Sequence, residues 1–320
     1  MLVSFVVPTY NRSCELRQCL QSILSEPGGD YEIVVSNNAS PDDTAATLKE
    51  FSYCPAVRVL TNEINVGAER NILRLIEEAR GDYVFCLSDD DYLVPGALDV
   101  LVNTIEANPR AGVICGALTL LNVITAKTGV ENFGIAARPY EAGAEALVNL
   151  FWRFHIFSGT VVRRDLLDLA AFRAEIGQHL YGIMVLGGSA TKKATAVFIS
   201  RPIVVHRVGN ITSWEYPDDM MLNGLIGLVD LLCQDLPDGR KVADRLWKRR
   251  VPHLIGSLLF VRKISFRAFI RYIRLLMTVE VFRASALFWV YVATVGVFGA
   301  SATVWAGRLF RGMTLKRNCG

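Results

Sequence analysis

Between residues 2 and 117 the chain alternates short β-branched runs with stretches whose apolar residues recur at helical spacing. That alternation confines the region to a mostly parallel sheet with helices on its faces. Strands are predicted at 2–8, 31–36, 57–61, 82–88 and 112–117. Leu16, Leu20, Ile23 and Leu24 mark a first helix, which Pro27-Gly28-Gly29 stops before the second strand. Ser40, Pro41 and Asp43 read as the cap, first turn and capping-box acid of a second helix. After the polar turn Asn62 to Gly67, Ile72, Leu75, Ile76 and Ala79 share one face of a third helix, and a fourth follows Pro95.

From 118 to 215 the signals thin to a strand at 157–163, a helix near 179–190 and strand at 196–206. The expected organisation is therefore a first α/β half at 1–120, a second half at 121–215 and a helical tail at 216–320. With 52% hydrophobic residues in a chain of 320, a substantial core can form and bulk disorder is excluded. The net charge of +3 hides a division at residue 240: the part before it carries net −11 and the part after it net +14, along with the longest apolar run. Basic and apolar together point to a membrane surface rather than to nucleic acid. Seven scattered cysteines show no C-x-x-C pair and no zinc spacing, as suits a reducing compartment. Met1 to Pro8 has no basic leader and reads as a buried strand rather than a signal peptide.

In a doubly wound sheet, ligands bind outside the carboxyl ends of the strands. Three predicted strands end there in polar loops: Pro8-Thr9-Tyr10-Asn11-Arg12, Ser36 through Asp43, and Ser88-Asp89-Asp90-Asp91. Three adjacent carboxylates at the end of an apolar strand repel one another unless positive charge is supplied. Mg²⁺ or Mn²⁺, bound through one or two carboxylates and substrate phosphates, is the simplest source. Helix capping or a solvated charge run is the plainer alternative.

Four motifs occur in order: V-V-P-T-Y-N-R (6–12), E-I-V-V-S-N-N-A-S-P-D-D-T (32–44), N-x-G-x-x-R-N (65–71) and G-D-Y-V-F-C-L-S-D-D-D-Y-L-V-P-G-A-L (81–98). Together they resemble the family 2 glycosyltransferases of the GT-A fold over about residues 2–120. The resemblance implies a Rossmann-like α/β sheet, a nucleotide-diphosphate sugar donor and Mn²⁺ or Mg²⁺. It places Pro8, Tyr10, Asn37 and Asn38 around the base, Arg70 near the diphosphate and Asp89 on the ribose or phosphate side. Asp90 would be the main metal ligand with Asp91 beside it. Asn37 and Asn38 stand where the family usually has Asp, and Ser88 stands where many members have the first Asp of D-x-D.

Members of the family typically invert the anomeric centre and need a general base for the acceptor hydroxyl. The usual Glu-Asp pair is missing here. His179 is the nominee, Glu175 its rival, and Asp218 and Asp219 are weaker candidates. In the tail, Lys263, Arg267, Arg271 and Arg274 fall on one helix face, opposite Phe266, Phe269, Ile270, Ile273, Leu276 and Met277, as in an interfacial helix. The alternative is a helix packed on the protein core. Ala284 to Gly307 then carries no charge and is long enough to cross about 30 Å of hydrocarbon. Because basic residues flank this run on both sides, a monotopic anchor on the cytoplasmic face of an inner membrane is preferred to a single span.

The expected activity is metal-dependent inverting transfer to a lipid-linked, polyprenyl-diphosphate saccharide, with the anionic membrane bound through 262–317. The run from Ile176 to Asn210 is similar to O-antigen transferases of the abequosyltransferase sort. Transfer to polyprenyl phosphate itself is one rival reading. A non-catalytic nucleotide-sugar-binding membrane scaffold is another.

Overall fold

The computed structural model describes residues 1–178, 181–209 and 218–298, and the chain separates into two compact units, Met1–Ser213 and Trp214–Gly320. In the first unit the elements run β1 (Leu2–Thr9), α1 (Ser13–Leu24), β2 (Asp30–Asn37), α2 (Thr44–Phe51), β3 (Val57–Thr61), α3 (Ala68–Glu78), β4 (Tyr83–Cys86), β5 (Tyr92–Leu93) and α4 (Ala97–Ala107). They continue with β6 (Ala111–Asn122), β7 (Thr128–Glu131), β8 (Pro139–Tyr140), α5 (Ala144–Leu150), β9 (Thr160–Arg163), α6 (Leu169–Glu175), α7 (Met184–Lys193) and β10 (Thr195–Val208).

One sheet holds all ten strands in the order β3-β2-β1-β4-β9-β6-β10-β5, with β7 added to β6 and β8 to β10. The first four are parallel, as the alternating pattern predicts. Beyond β4 the sheet is mixed: β9 runs antiparallel to both β4 and β6, whereas β6 and β10 are parallel. Residue 120, expected as a boundary, lies inside β6. Because β1 lies between β2 and β4, the winding reverses beside it, and the loops after β1, β2 and β4 share one crevice at that switch point.

Phe5 and Val7 of β1, Ile33 and Val35 of β2, and Phe85 of β4 share one core with Leu16, Cys19, Leu20 and Ile23 of α1 and with Leu98 and Leu101 of α4. Burying each such Leu, Ile, Val or Phe stabilises by about 1.5–3 kcal/mol relative to exposure. Two close features bind the layers. A Cβ on Gly81 would stand 2.7 Å from the Ser4 backbone nitrogen, so the G-D-Y entry to β4 needs glycine. The buried Glu26 carboxylate accepts from Gly96 N (3.0 Å) and Leu98 N (2.8 Å), satisfying the start of α4.

Local differences from the sequence expectations have physical causes. The second helix starts at Thr44, not at Ser40. Ser40 Oγ accepts instead from Asn11 N (2.9 Å), and Asp42 accepts from Ser13 N and from the Thr44 hydroxyl. Ser40, read as the cap, is thus spent with Asp42 on joining two loops, and Asp43 stands at the helix start without a side-chain capping bond. The helix expected near 179–190 is α7, beginning at Met184.

The second unit comprises α8 (Asp218–Cys233), α9 (Gly239–Ile264), α10 (Phe266–Leu276), α11 (Glu280–Arg283) and α12 (Ala286–Phe298). Ser265 ends α9 and caps α10, its Oγ accepting from Ala268 N at 3.0 Å. In α10 the basic residues Arg267, Arg271 and Arg274 are exposed as expected. The opposite face is not available to lipid: Phe269, Tyr272, Ile273 and Leu276 are buried, with α10 packed on α8 and α9. Only Phe266 of that set is largely open, at 54% exposure. Among the described residues no helix is long and apolar enough to cross a membrane. The apolar run 284–307 is covered by them only as far as α12, its remainder lying outside the described residues.

Candidate active site

Ser88 to Asp91 leave β4 in a turn fixed by its own backbone: Ser88 N donates to Ser158 Oγ (2.9 Å) and Asp91 N to Ser88 O (3.1 Å). The Ser158 loop is held in turn by Arg153, which is fully buried and donates to the carbonyls of Gly116 (3.0 Å), Ile156 (3.0 Å) and Ser158 (2.8 Å). Burial pulls the Arg153 guanidinium below its ordinary pKa, partly offset by Cys115 and by Asp91.

The three carboxylates diverge into different environments. Arg12, from the loop after β1, places Nη1 3.1 Å from Asp89 Oδ1 and 2.5 Å from Asp90 Oδ2, so one cation serves two anions. Burial disfavours the charge on Arg12, but Asp89 and Asp90 more than compensate and raise its pKa. Asp89 is almost sealed. Burial, with Arg12 opposing, pushes its carboxyl up to about 7. Its buried Oδ2 makes no well-formed hydrogen bond, and neither does the Thr9 hydroxyl, although Thr9 and the Tyr10 N–H both favour the charged carboxylate. Asp90 is raised as well, first by burial and then by Asp91.

Asp91 does not stand open beside Asp90. It is 1% exposed, and its two oxygens accept from His206 Nδ1 (2.9 Å) and Arg207 N (2.8 Å) of β10. It therefore joins the acidic turn to β10, and its expected place as a second metal ligand passes to an anchoring position. Among the described residues no group of three or more His, Cys, Asp and Glu side chains is arranged to hold a metal ion by itself. Even so, the turn is short of positive charge: Asp89 and Asp90 share one arginine, and Asp89 Oδ2 makes no well-formed hydrogen bond. A dication completed by phosphate oxygens fits that deficit.

On the other side of β1, the loops are laced together. Asn38 N donates to Thr9 O (3.0 Å). Asn38 Oδ1 accepts from Asn62 Nδ2 (2.9 Å) and Val66 N (3.0 Å), while its Nδ2 donates to Asn65 Oδ1 (2.8 Å). Expected at the base pocket as a contact, Asn38 is instead spent on holding the 62–67 turn. Asn37 Oδ1 accepts from Ser40 N (2.9 Å). Pro8 is half-buried, Tyr10 is 45% exposed beside this loop, and Arg70 is exposed on the first turn of α3.

Of the base candidates, His179 lies outside the described residues. Asp218 and Asp219 belong to the start of α8. Glu175 ends α6 half-buried, and two residues on, Gly177 N donates to Glu69 Oε2 at 2.8 Å. The segment after α6 thus lies against the first turn of α3, the turn that carries Arg70. Reading the sequence had assigned no role to Arg12, Arg153, Ser158 or His206. For His206 a signal existed: a histidine near the carboxyl end of a predicted strand.

The family model described as Glycosyl transferase family 2 matches residues 4–169, just over half of the chain. The chain belongs to glycosyl transferase family 2. The matched residues carry the β1, β2 and β4 loops. It is 34% identical over 111 residues to abequosyltransferase RfbV of Salmonella typhimurium, covering 33% of each chain. To the GalNAc(5)-diNAcBac-PP-undecaprenol beta-1,3-glucosyltransferase of Campylobacter jejuni it is 32% identical over 178 residues, 54% of this chain and 55% of that one. The chain spans about a third of the length of the first curated relatives that it matches. Among solved structures, S. aureus TarS 1–349 in complex with UDP-GlcNAc superposes with a TM-score of 0.67 at 17% identity, over 86% of this chain and 80% of that one. At that identity the likeness shows the fold alone, α/β and GT-A-like.

Proposed function

We propose that this glycosyltransferase moves a sugar from a nucleoside-diphosphate donor, held with Mn²⁺ or Mg²⁺, to a hydroxyl of a lipid-linked saccharide at a membrane surface, inverting the anomeric centre. The observation that carries it is the acidic turn at the switch point, where two nearly buried carboxylates share the single cation of Arg12. Asp90, with Asp89 behind it, would hold the dication, which neutralises diphosphate charge when bound. Arg12 steadies both carboxylates in the charged form. The exposed guanidinium of Arg70 can meet a phosphate bidentately. Asp91 orients His206 by accepting from its Nδ1, so the imidazole is held in a fixed orientation.

Inversion requires removal of the acceptor proton by a base, and the segment after α6 supplies the candidates. His179→Ala is expected to lower turnover by about 10² with donor binding intact. A smaller effect, together with a comparable loss for Glu175→Gln, would transfer the role to Glu175.

The lipid-linked acceptor is supported by the C. jejuni relative, a GalNAc(5)-diNAcBac-PP-undecaprenol beta-1,3-glucosyltransferase. Membrane attachment is supported by α12, where Leu287, Trp289, Val290 and Val297 are exposed and, among the described side chains, only Phe288 and Val295 are fully buried. Basic groups on α10 would add about 1 kcal/mol each near anionic headgroups. Flotation with anionic vesicles should therefore recover the protein in the vesicle fraction. Val290→Asp with Val297→Asp should leave most of it unbound, and unaltered flotation would refute the α12 anchor.

The activity is tested by supplying labelled nucleotide sugars, Mn²⁺ and polyprenyl-linked acceptors, then analysing the lipid product. A glycosidic bond to a sugar hydroxyl is expected. A phosphodiester to the lipid would make polyprenyl phosphate the acceptor, and donor binding without turnover across the panel would leave a non-catalytic scaffold.

A further inference from the structure

Resting on the donor site just proposed, we infer that the donor's base presents an unprotonated ring nitrogen to Asn37 Nδ2. Cytosine and adenine have such an acceptor on the edge opposite the sugar, whereas uracil, thymine and guanine carry a ring N–H there.

The position follows from the sheet. A diphosphate at the acidic turn sits beyond β4, which pairs with β1, and β1 pairs on its other side with β2 in parallel register, Thr9 opposite Asn37. From β4 to β2 is two strand spacings, about 10 Å, so the nucleoside lies across the β1 loop with its base near Asn37. The opposite direction is closed by His206 and Arg207 against Asp91.

The orientation of the amide is fixed by its neighbours. Asn37 Oδ1 accepts from Ser40 N at 2.9 Å, and Ser40 is itself held because its Oγ accepts from Asn11 N at 2.9 Å. Turning the amide over would set an NH₂ group against the Ser40 N–H. Nδ2 is therefore the outward group, and among the described residues it has no acceptor although Asn37 is only 3% exposed. Asn38 differs, since both ends of its amide are occupied within the protein. A nearly buried donor without an acceptor rewards a ligand that brings one and penalises a ligand that brings a second N–H.

Calorimetric titration of the full chain with CDP, ADP, UDP, GDP and dTDP in the presence of Mn²⁺ tests the inference. CDP or ADP is expected to bind at least about tenfold more tightly than UDP, dTDP and GDP, and the better of the two names the base. Asn37→Asp keeps an acceptor for Ser40 N but turns an oxygen outward, so it should reverse the order of CDP and UDP. Wild-type preference for UDP, dTDP or GDP, or a ranking untouched by Asn37→Asp, would overturn the inference and leave the donor site standing. Failure of every nucleotide to bind would overturn both.

Discussion

Asp90→Asn is expected to lower sugar transfer by at least about 10³-fold while the protein still unfolds cooperatively. The asparagine keeps the size of the side chain and an acceptor for Arg12, and Arg12 retains Asp89 at 3.1 Å, so the turn is not dismantled. What is lost is the anionic oxygen that would share a dication with the diphosphate. Asp90 is the more open of the cluster, since Asp89 is 5% exposed and Asp91 1% with both its oxygens committed to β10. Substitution of Asp91 should look different, damaging stability as much as rate, because it releases His206 and the Arg207 backbone. Turnover by Asp90→Asn near the wild-type level, measured with donor and Mn²⁺ saturating, would remove the acidic turn from the chemistry.

Stability of the metal-free protein is expected to fall as pH rises from 5 to 8, by about 3 kcal/mol from Asp89 alone. Burial raises its carboxyl to about 7 in the folded chain, against an ordinary value of 3.8. The folded state therefore holds the proton more tightly than the unfolded chain does. That advantage is complete below the ordinary carboxylate range, shrinks as pH climbs toward 7, and is gone above it. Asp90 is raised as well and acts in the same direction. Denaturant titrations at pH 5 and pH 8 measure the difference, and Asp89→Asn, which cannot ionise, should flatten it. Saturating Mn²⁺ with a nucleoside diphosphate should restore stability at pH 8, since a ligand bound only by the folded state stabilises it. Equal slopes for wild type and Asp89→Asn would show that this carboxyl titrates normally.

Much of the first unit was legible because its information is local. The runs at β1, β2, β3 and β4 are short, apolar and bounded by turn residues, and those at β1 and β3 are each followed by a helix with clear apolar spacing. The loops carrying Tyr10, Asn37 and Asp90 could be placed on one edge from strand direction alone. Less legible were features set by contacts between distant segments. His206 meets Asp91 across 115 positions, and Arg153 reaches Gly116 across 37. Neither separation leaves a periodic trace. The mixed half of the sheet was hidden for a similar reason, because strand direction in β9 depends on which edge is vacant, not on its composition. Ser40 and Asp42 carry the residue types of a helix start, yet the neighbouring β1 loop competes for them. The α10 pattern failed in another way: an apolar stripe reads the same whether lipid or a second helix covers it, and α8 with α9 covers it here.

The most direct measurement is the binding of a nucleoside diphosphate to wild type and Asp90→Asn, each with and without Mn²⁺. The acidic turn as the seat of a shared dication predicts at least about tenfold tighter nucleotide binding with Mn²⁺ in wild type, with the reciprocal effect of nucleotide on Mn²⁺, and little or no gain in Asp90→Asn. Nucleotide binding indifferent to Mn²⁺, or a gain equally large in the variant, would contradict it.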